Sequence, residues 1–325
     1  MAFYMIFDNP EDKKNMSFLD RYKYMNIEFI YPKKKCNSIQ DMLRECNHLL
    51  RRSNKGDTII CWYDFMAVLC WVLCKIQFKR RKIVALNILL KDKSTYKNRL
   101  AKLLYKAMLS SKCVHATVTS RKYGAYLNNL LKLHRSYFLL HDLYHGDYDI
   151  GYKGGLCQYS VFCGGRNGRN WPFLIELAKS LPEVTFNCVM PKVCYETFKK
   201  TFSGNMRVKC DISEREFLEL LCQSKLVVMP LDTEAPAGLI VFYQAAANNI
   251  MSITSNTVTT QEYLSDGRGV LCNRDVENWK NAVLYYLNNS VEADTRAKNL
   301  KRYLEEECSE DKYAITLWNY LNNER

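Results

Sequence analysis

LVVMPLDTEAPAGLIVFYQAAANN, residues 226–249, is the stretch whose reading decides the fold of this chain. Leu226 to Met229 is apolar and rich in β-branched residues, the composition of a strand covered on both faces, and Pro230 ends it. Asp232 to Pro236 carries loop chemistry. From Ala237 the residues are helix formers through Ala245, Ala246 and Ala247, and Asn248 with Asn249 supplies a C-terminal stop. A helix begun there leaves the amides of Ala237, Gly238 and Leu239 without intrahelical partners. It also turns the positive end of its dipole toward the loop, an arrangement suited to an anion such as a diphosphate. Gly238 lets a ligand come close to the backbone. The same residues also fit an ordinary strand-to-helix turn with glycine chosen for packing.

A second segment repeats the pattern. Gln158 to Cys163 alternates and ends apolar, Gly164-Gly165-Arg166-Asn167-Gly168-Arg169-Asn170 follows, and a helix opens at Trp171 with Pro172 in its first turn. Arg166 and Arg169 are planar donors matched to phosphate oxygens, and glycines bring backbone near the same anion. Neither GxGxxG nor GK[ST] is present. Arginine on a solvated turn is the plainer alternative.

Composition bounds the class. With 325 residues, 48% hydrophobic and 25% charged, the chain is long enough for two globular domains. Its 14 cysteines form no CxxC pair, and Cys61, Cys70, Cys74, Cys163, Cys188 and Cys222 lie inside apolar runs, which reads as buried free thiols. The five histidines make no HExxH pair, and no metal site is expected. MAFYMIFDNPEDKK at the start has no secretory signature, and a cytoplasmic location is the expectation. The apolar region Thr58 to Cys74 contains Asp64 and falls short of a membrane span. It reads as a strand, Thr58 to Trp62, and then a helix from Asp64 with a basic end at Lys75, Lys79, Arg80, Arg81 and Lys82. That helix is either core with a basic tip or a surface element for anionic lipid.

Charge is unevenly placed. Residues 1–150 hold 27 Lys and Arg against 13 Asp and Glu, a net +14, whereas the remainder is near neutral. Such an excess suits an anionic membrane surface or nucleic acid, but no nucleic-acid recognition motif accompanies it.

Strands near residues 2–7, 27–31, 58–62, 82–89, 115–119 and 137–141 alternate with helices near 38–51, from 64, 94–109 and 121–133. After a linker at Leu143 to Gly155, a second series runs through strands at 158–163, 184–190, 207–210, 226–229 and 251–254. Helices near 278–287 and 313–323 close the chain. The expected class is α/β, two Rossmann-like domains facing a cleft: residues 1–150 basic, residues 151–325 carrying the anion sites, with the last helix packing back on the first domain.

VFCGGRNGRNWPFLIELAKSLPEVTF, the PAGLIVFYQAAANN segment and MSITSNTVTTQEYLSDGRGVLCNRDVENWKNAVLYYL occur in that order over residues 158–290. Together they resemble the donor-binding domain of GT-B glycosyltransferases, in particular the retaining group that includes bacterial polysaccharide enzymes. The resemblance implies a hexosyltransferase that moves sugar from a UDP- or GDP-linked donor to a carbohydrate or lipid-linked acceptor hydroxyl. It further implies no metal or other cofactor, no specific nucleic acid, and association with the inner membrane face. In the donor site it places Gly165, Arg166 and Arg169 at the diphosphate and the amides of Ala237, Gly238 and Leu239 at the distal phosphate or sugar. The family's two glutamates fall at Pro236 and Gln244, so Gln244 is left to bond the ribose and Glu234 to contact the sugar. The nucleobase would lie near Met190 and Cys210 to Ser213. No catalytic base is assigned; Glu234, Asp92 and Asp64 are the candidates. The alternative is a non-catalytic GT-B-like subunit that binds a partner in a glycosylation complex.

Overall fold

The computed structural model describes residues 2–92, 94–151 and 157–323. Of the linker read at 143–155, residues 152–155 lie outside them. The chain divides into two compact units, Met1–Asp142 with Glu310–Arg325, and Leu143–Ser309.

The first unit runs β1 (Phe3–Ile6), α1 (Asp12–Asn15), 3-10 turns at Ser17–Arg21 and Lys23–Met25, β2 (Ile27–Ile30), α2 (Ile39–Arg52), β3 (Thr58–Cys61), α3 (Asp64–Ile76), β4 (Lys82–Ala85), α4 (Tyr96–Leu109), β5 (Val114–Val118), α5 (Arg121–Leu131) and β6 (Phe138–Leu139). Its strands are parallel in the order β2-β1-β3-β4-β5-β6. All four residues of β3 are buried, which explains its unbroken apolar sequence. In α3, Met66, Ala67, Val68, Leu69, Cys70 and Cys74 are buried, so that helix is core with a basic tip.

The second unit runs β7 (Cys157–Gly164), α6 (Trp171–Ser180), β8 (Thr185–Met190), α7 (Lys192–Phe198), β9 (Met206–Cys210), α8 (Glu214–Cys222), β10 (Ser224–Met229), α9 (Leu239–Ala247), β11 (Met251–Ser255), α10 (Thr260–Leu264), β12 (Val270–Cys272), α11 (Val276–Asn288) and α12 (Ser290–Glu307). Its six parallel strands are ordered β12-β11-β10-β7-β8-β9. The period of two shows in β10, where Leu226 and Val228 enter the core that includes Trp171 and Trp279, and Val227 and Met229 enter the opposite one with Phe242 and Tyr243. The last helix, α13 (Glu310–Asn323), belongs to the first unit, where Tyr320 stacks on Phe138 at 4.3 Å and Trp318 meets Phe3 edge-on at 6.4 Å.

Sequence reading missed α1, α7, α8, α10, α12 and β12. The longest of these, α12, buries only Ala293, Ala297, Leu300 and Leu304, a narrow stripe of small and medium residues at helical spacing that carries little hydrophobic signal.

Asp64 is buried in the first unit. It accepts the Leu89 amide at 2.7 Å and the Tyr105 hydroxyl. Burial dominates and raises its carboxyl to about 6, against those hydrogen bonds. The neutral form therefore favours the fold: its contribution is complete below about pH 4, the unfolded value, and is lost as pH rises through about 6. Measured by urea unfolding, wild-type stability relative to Asp64→Asn is expected to fall by about 3 kcal/mol between pH 4 and pH 7.5, at about 1.36 kcal/mol per pKa unit. A pH-independent difference would show that Asp64 does not titrate with folding.

Candidate functional site

In the second sheet the chain leaves β7 toward β8 and β9 on one side, then crosses back to β10, β11 and β12 on the other. The strand order reverses between β7 and β10, the place where sheets of this kind bind ligands at the carboxyl ends of their strands. The glycine loop follows β7 and the PAGL loop follows β10, so both segments singled out in the sequence meet there.

Backbone hydrogen bonds join them. Asn170 N–H donates to Pro230 C=O at 2.9 Å, and Asp232 N–H donates to Gly168 C=O at 2.9 Å. A Cβ on Gly168 would stand 2.6 Å from Thr233 Cγ2 and 3.0 Å from the Ala237 Cβ. Asn170 then caps α6 by accepting Phe173 N–H at 3.2 Å, with Pro172 in the first turn as expected.

Arg166 and Arg169 have different surroundings. Arg166 is exposed on the loop, and among the described residues no carboxylate pairs with it. Arg169 is buried, at 8% exposure, with Nε donating to Gly164 C=O at 2.9 Å and Nη1 to Asn167 C=O. No carboxylate among the described residues forms an ion pair with it. Burial pulls its guanidinium down to about 10, opposed by the Cys163 sulfur and the Asp232 carboxylate. It stays charged at neutral pH, a cation held by two carbonyls beneath a glycine loop. Gly165, with φ +117°, leaves room for it: a Cβ there would lie 2.2 Å from Arg169 Nη2.

On the other wall α9 begins two residues later than the sequence suggested. Gly238, at φ +83°, is its N-cap rather than its second residue, because a left-handed residue cannot continue an α-helix. A side chain at 238 would also meet Met229 Cε at 2.8 Å. Phe242 N–H makes the first helical bond, to Gly238 C=O. The open first turn therefore presents the amides of Leu239, Ile240 and Val241, preceded by those of Ala237 and Gly238. Among the described residues none of these five has an acceptor. At the far end Asn248 is the C-cap and Asn249 is left-handed, with Ile250 N–H returning to Ala245 C=O at 2.8 Å, which realises the predicted stop.

The remaining candidates are placed as follows. Gln244 is buried on the second turn of α9, and its Oε1 has no hydrogen-bond partner. Glu234 is half-buried; its Oε2 accepts Val258 N–H at 2.7 Å and its C=O accepts the Thr259 hydroxyl at 2.8 Å. Asp92 lies in the first unit, half-exposed and ion-paired with Lys102. Met190 ends β8, and Asp211 after β9 is left-handed at φ +50°.

The sequence reading used the run Thr254 to Thr260, TSNTVTT, for the resemblance but gave none of its residues a part in the site. Ser255 Oγ accepts Leu231 N–H at 2.8 Å, Thr254 Oγ1 donates to Met229 C=O, and Thr260 Oγ1 donates to Ser255 C=O. These hydroxyls pin the loop after β10 from beneath and fix where α9 starts. Serine and threonine clustered between a strand and a helix are the signal that would have found them.

No family profile and no curated protein matches the chain. Solved structures do. Sucrose-phosphate synthase from Thermosynechococcus elongatus superposes with a TM-score of 0.76 at 13% identity, over 99% of this chain and 98% of that one. HepE of Anabaena, solved in complex with UDP-glucose, gives 0.72 at 11% identity, over 99% and 100%. A glycosyltransferase from Rickettsia africae gives 0.65 at 10% identity, over 99% and 98%. The chain has the GT-B fold. The fold is shared along its whole length at identities where side-chain roles are free to differ.

Proposed function

We propose that this protein is a glycosyltransferase that takes a hexose from a nucleotide diphosphate donor and delivers it to an acceptor hydroxyl. The observation that carries the reading is the meeting, at the β7/β10 reversal, of a buried arginine with no carboxylate partner and five amides with no acceptor, both among the described residues. Cleavage of a sugar–diphosphate bond builds negative charge on the departing phosphate. Arg166, Arg169 and the α9 dipole would stabilise that charge more in the transition state than in the ground state. This supply of positive charge supports a metal-independent reaction, and the resemblance of residues 158–290 to the retaining group supports retention of configuration. HepE, of the same fold, was solved with UDP-glucose, which makes a UDP-linked donor the first to test. The unpartnered Gln244 Oε1 suits a ribose hydroxyl. Glu234, committed to Val258, acts in this reading by holding the loop, with contact to the sugar through its free oxygen. The basic first unit would take a carbohydrate or lipid-linked acceptor at the cytoplasmic face of a membrane, in polysaccharide or glycolipid synthesis.

A thermal-shift panel of UDP- and GDP-sugars tests the site. One donor at 100 times its Kd should stabilise the protein by about 2.7 kcal/mol, and Arg166→Ala should weaken that response. Stabilisation by a donor without turnover or hydrolysis would favour the non-catalytic subunit, a reading supported by Pro236 and Gln244 standing where relatives carry glutamates. No response to any donor would overturn the site.

A further inference from the structure

We infer that the first unit docks on an anionic lipid surface through the edge of its sheet where the strands begin, with Phe78 as the inserted side chain. The inference deepens the membrane part of the proposed function and is independent of the donor site.

Phe78 follows α3 in a motif where glycine is usual. Lys79 N–H donates to Cys74 C=O at 2.9 Å and Phe78 N–H to Lys75 C=O at 3.3 Å, the paired bonds of a Schellman cap with Phe78 in the left-handed position at φ +52°. The other non-glycine residues described with positive φ are Asn, Asp or Lys. A bulky aromatic there is strained. Burial does not compensate for it, because Phe78 is 94% exposed, and Ile76 beside it is 67% exposed. A conformational cost is borne to hold a large apolar ring in water.

The surroundings state what it meets. In a parallel sheet every helix-to-strand connection lies on the same edge. On that edge α2 ends in exposed Arg51, α3 in Lys75 and Arg80, the loop before β5 carries Lys112, and α5 is closed by Lys132, all exposed. Asp57, in the connection before β3, is buried and committed to the amides of Ala2 and Asn54. Glu28, near the start of β2, is paired with Arg52. An apolar tip on an edge that carries these cations complements a surface that is anionic outside and apolar beneath, as a lipid headgroup layer is. Among the residues named on this edge, five exposed cations stand against one exposed carboxylate, Glu28, which Arg52 already holds.

The test is co-sedimentation of the full chain with vesicles of phosphatidylcholine alone and of phosphatidylcholine with phosphatidylglycerol in equal parts. Wild type is expected to bind the mixed vesicles, to ignore the neutral ones and to be released by salt. Phe78→Gly should reduce binding about tenfold while raising Tm by about 2 °C, because glycine relieves the strained cap. Lys75→Glu with Arg80→Glu should reduce it further, at roughly fivefold or more per charge. Nucleotide-induced stabilisation, read in the same samples, should be equal in wild type and Phe78→Gly, which separates loss of docking from loss of fold. No binding by wild type, or equal binding by wild type and Phe78→Gly, would overturn the inference.

Discussion

Arg169→Ala is expected to lower affinity for the nucleotide donor at least about 100-fold, equivalent to about 2.7 kcal/mol, as measured by titration calorimetry. The side chain is buried, charged and bonded to Gly164 and Asn167 carbonyls. Hydrogen bonds to a charged partner contribute about 1.5–3 kcal/mol each, so one phosphate contact accounts for the loss. The same variant strands two carbonyls, and a fall in stability accompanies the loss of binding. Arg169→Lys separates the effects: it restores charge without the planar fork, and should recover part of the affinity but not all. Undiminished binding by Arg169→Ala would reduce this residue to a brace for the loop, leaving Arg166 as the site's cation.

Gly165→Ala should cost about 2–3 kcal/mol of stability and abolish donor binding with it. The backbone there sits at φ +117°, a region that side chains strain to adopt at a cost of about 1–3 kcal/mol. The new methyl would also overlap Arg169, at 2.2 Å from Nη2 and 2.8 Å from Cζ. A flexible arginine would swing aside; this one is enclosed and tied at two nitrogens. Gly204→Ala is the control, since a Cβ there meets nothing within 4 Å. Adding Arg169→Ala to Gly165→Ala removes the overlap, so the double variant should be less unstable than the two losses added together. Strict additivity would show that the glycine and the arginine do not sense each other.

These two residues also show what the sequence disclosed. Arg169 could be named as a phosphate ligand because residue type and neighbouring glycines are local properties. That it is buried and Arg166 exposed is decided by β10, whose loop crosses beneath residues 168–170 from some sixty residues away, and no local pattern carries such information. The strands of the second sheet were legible because both faces are covered and their apolar runs are unbroken. α12 escaped because only Ala293, Ala297, Leu300 and Leu304 are buried along its length, which leaves a weak stripe. The start of α9 was misplaced by two residues because propensity sees helix formers at Ala237, while the left-handed Gly238 and the Ser255 bond to Leu231 set the true beginning. Asp92 and Asp64 illustrate the same limit: spacing put both near element ends, and only tertiary contacts separate a surface ion pair from a buried titrating carboxyl.

The return of the chain to its first unit has a consequence for how the molecule is made. Residues of the second unit are contiguous from Leu143 to Ser309, and can close their core as soon as they have left the ribosome. The earlier-synthesised unit cannot. Phe3, Phe18 and Phe138 await Trp318, Tyr313 and Tyr320, so the part translated first is finished last. Until α13 is made, that aromatic seam lacks the rings that cover it, the kind of exposed apolar surface that makes an incomplete chain prone to aggregate.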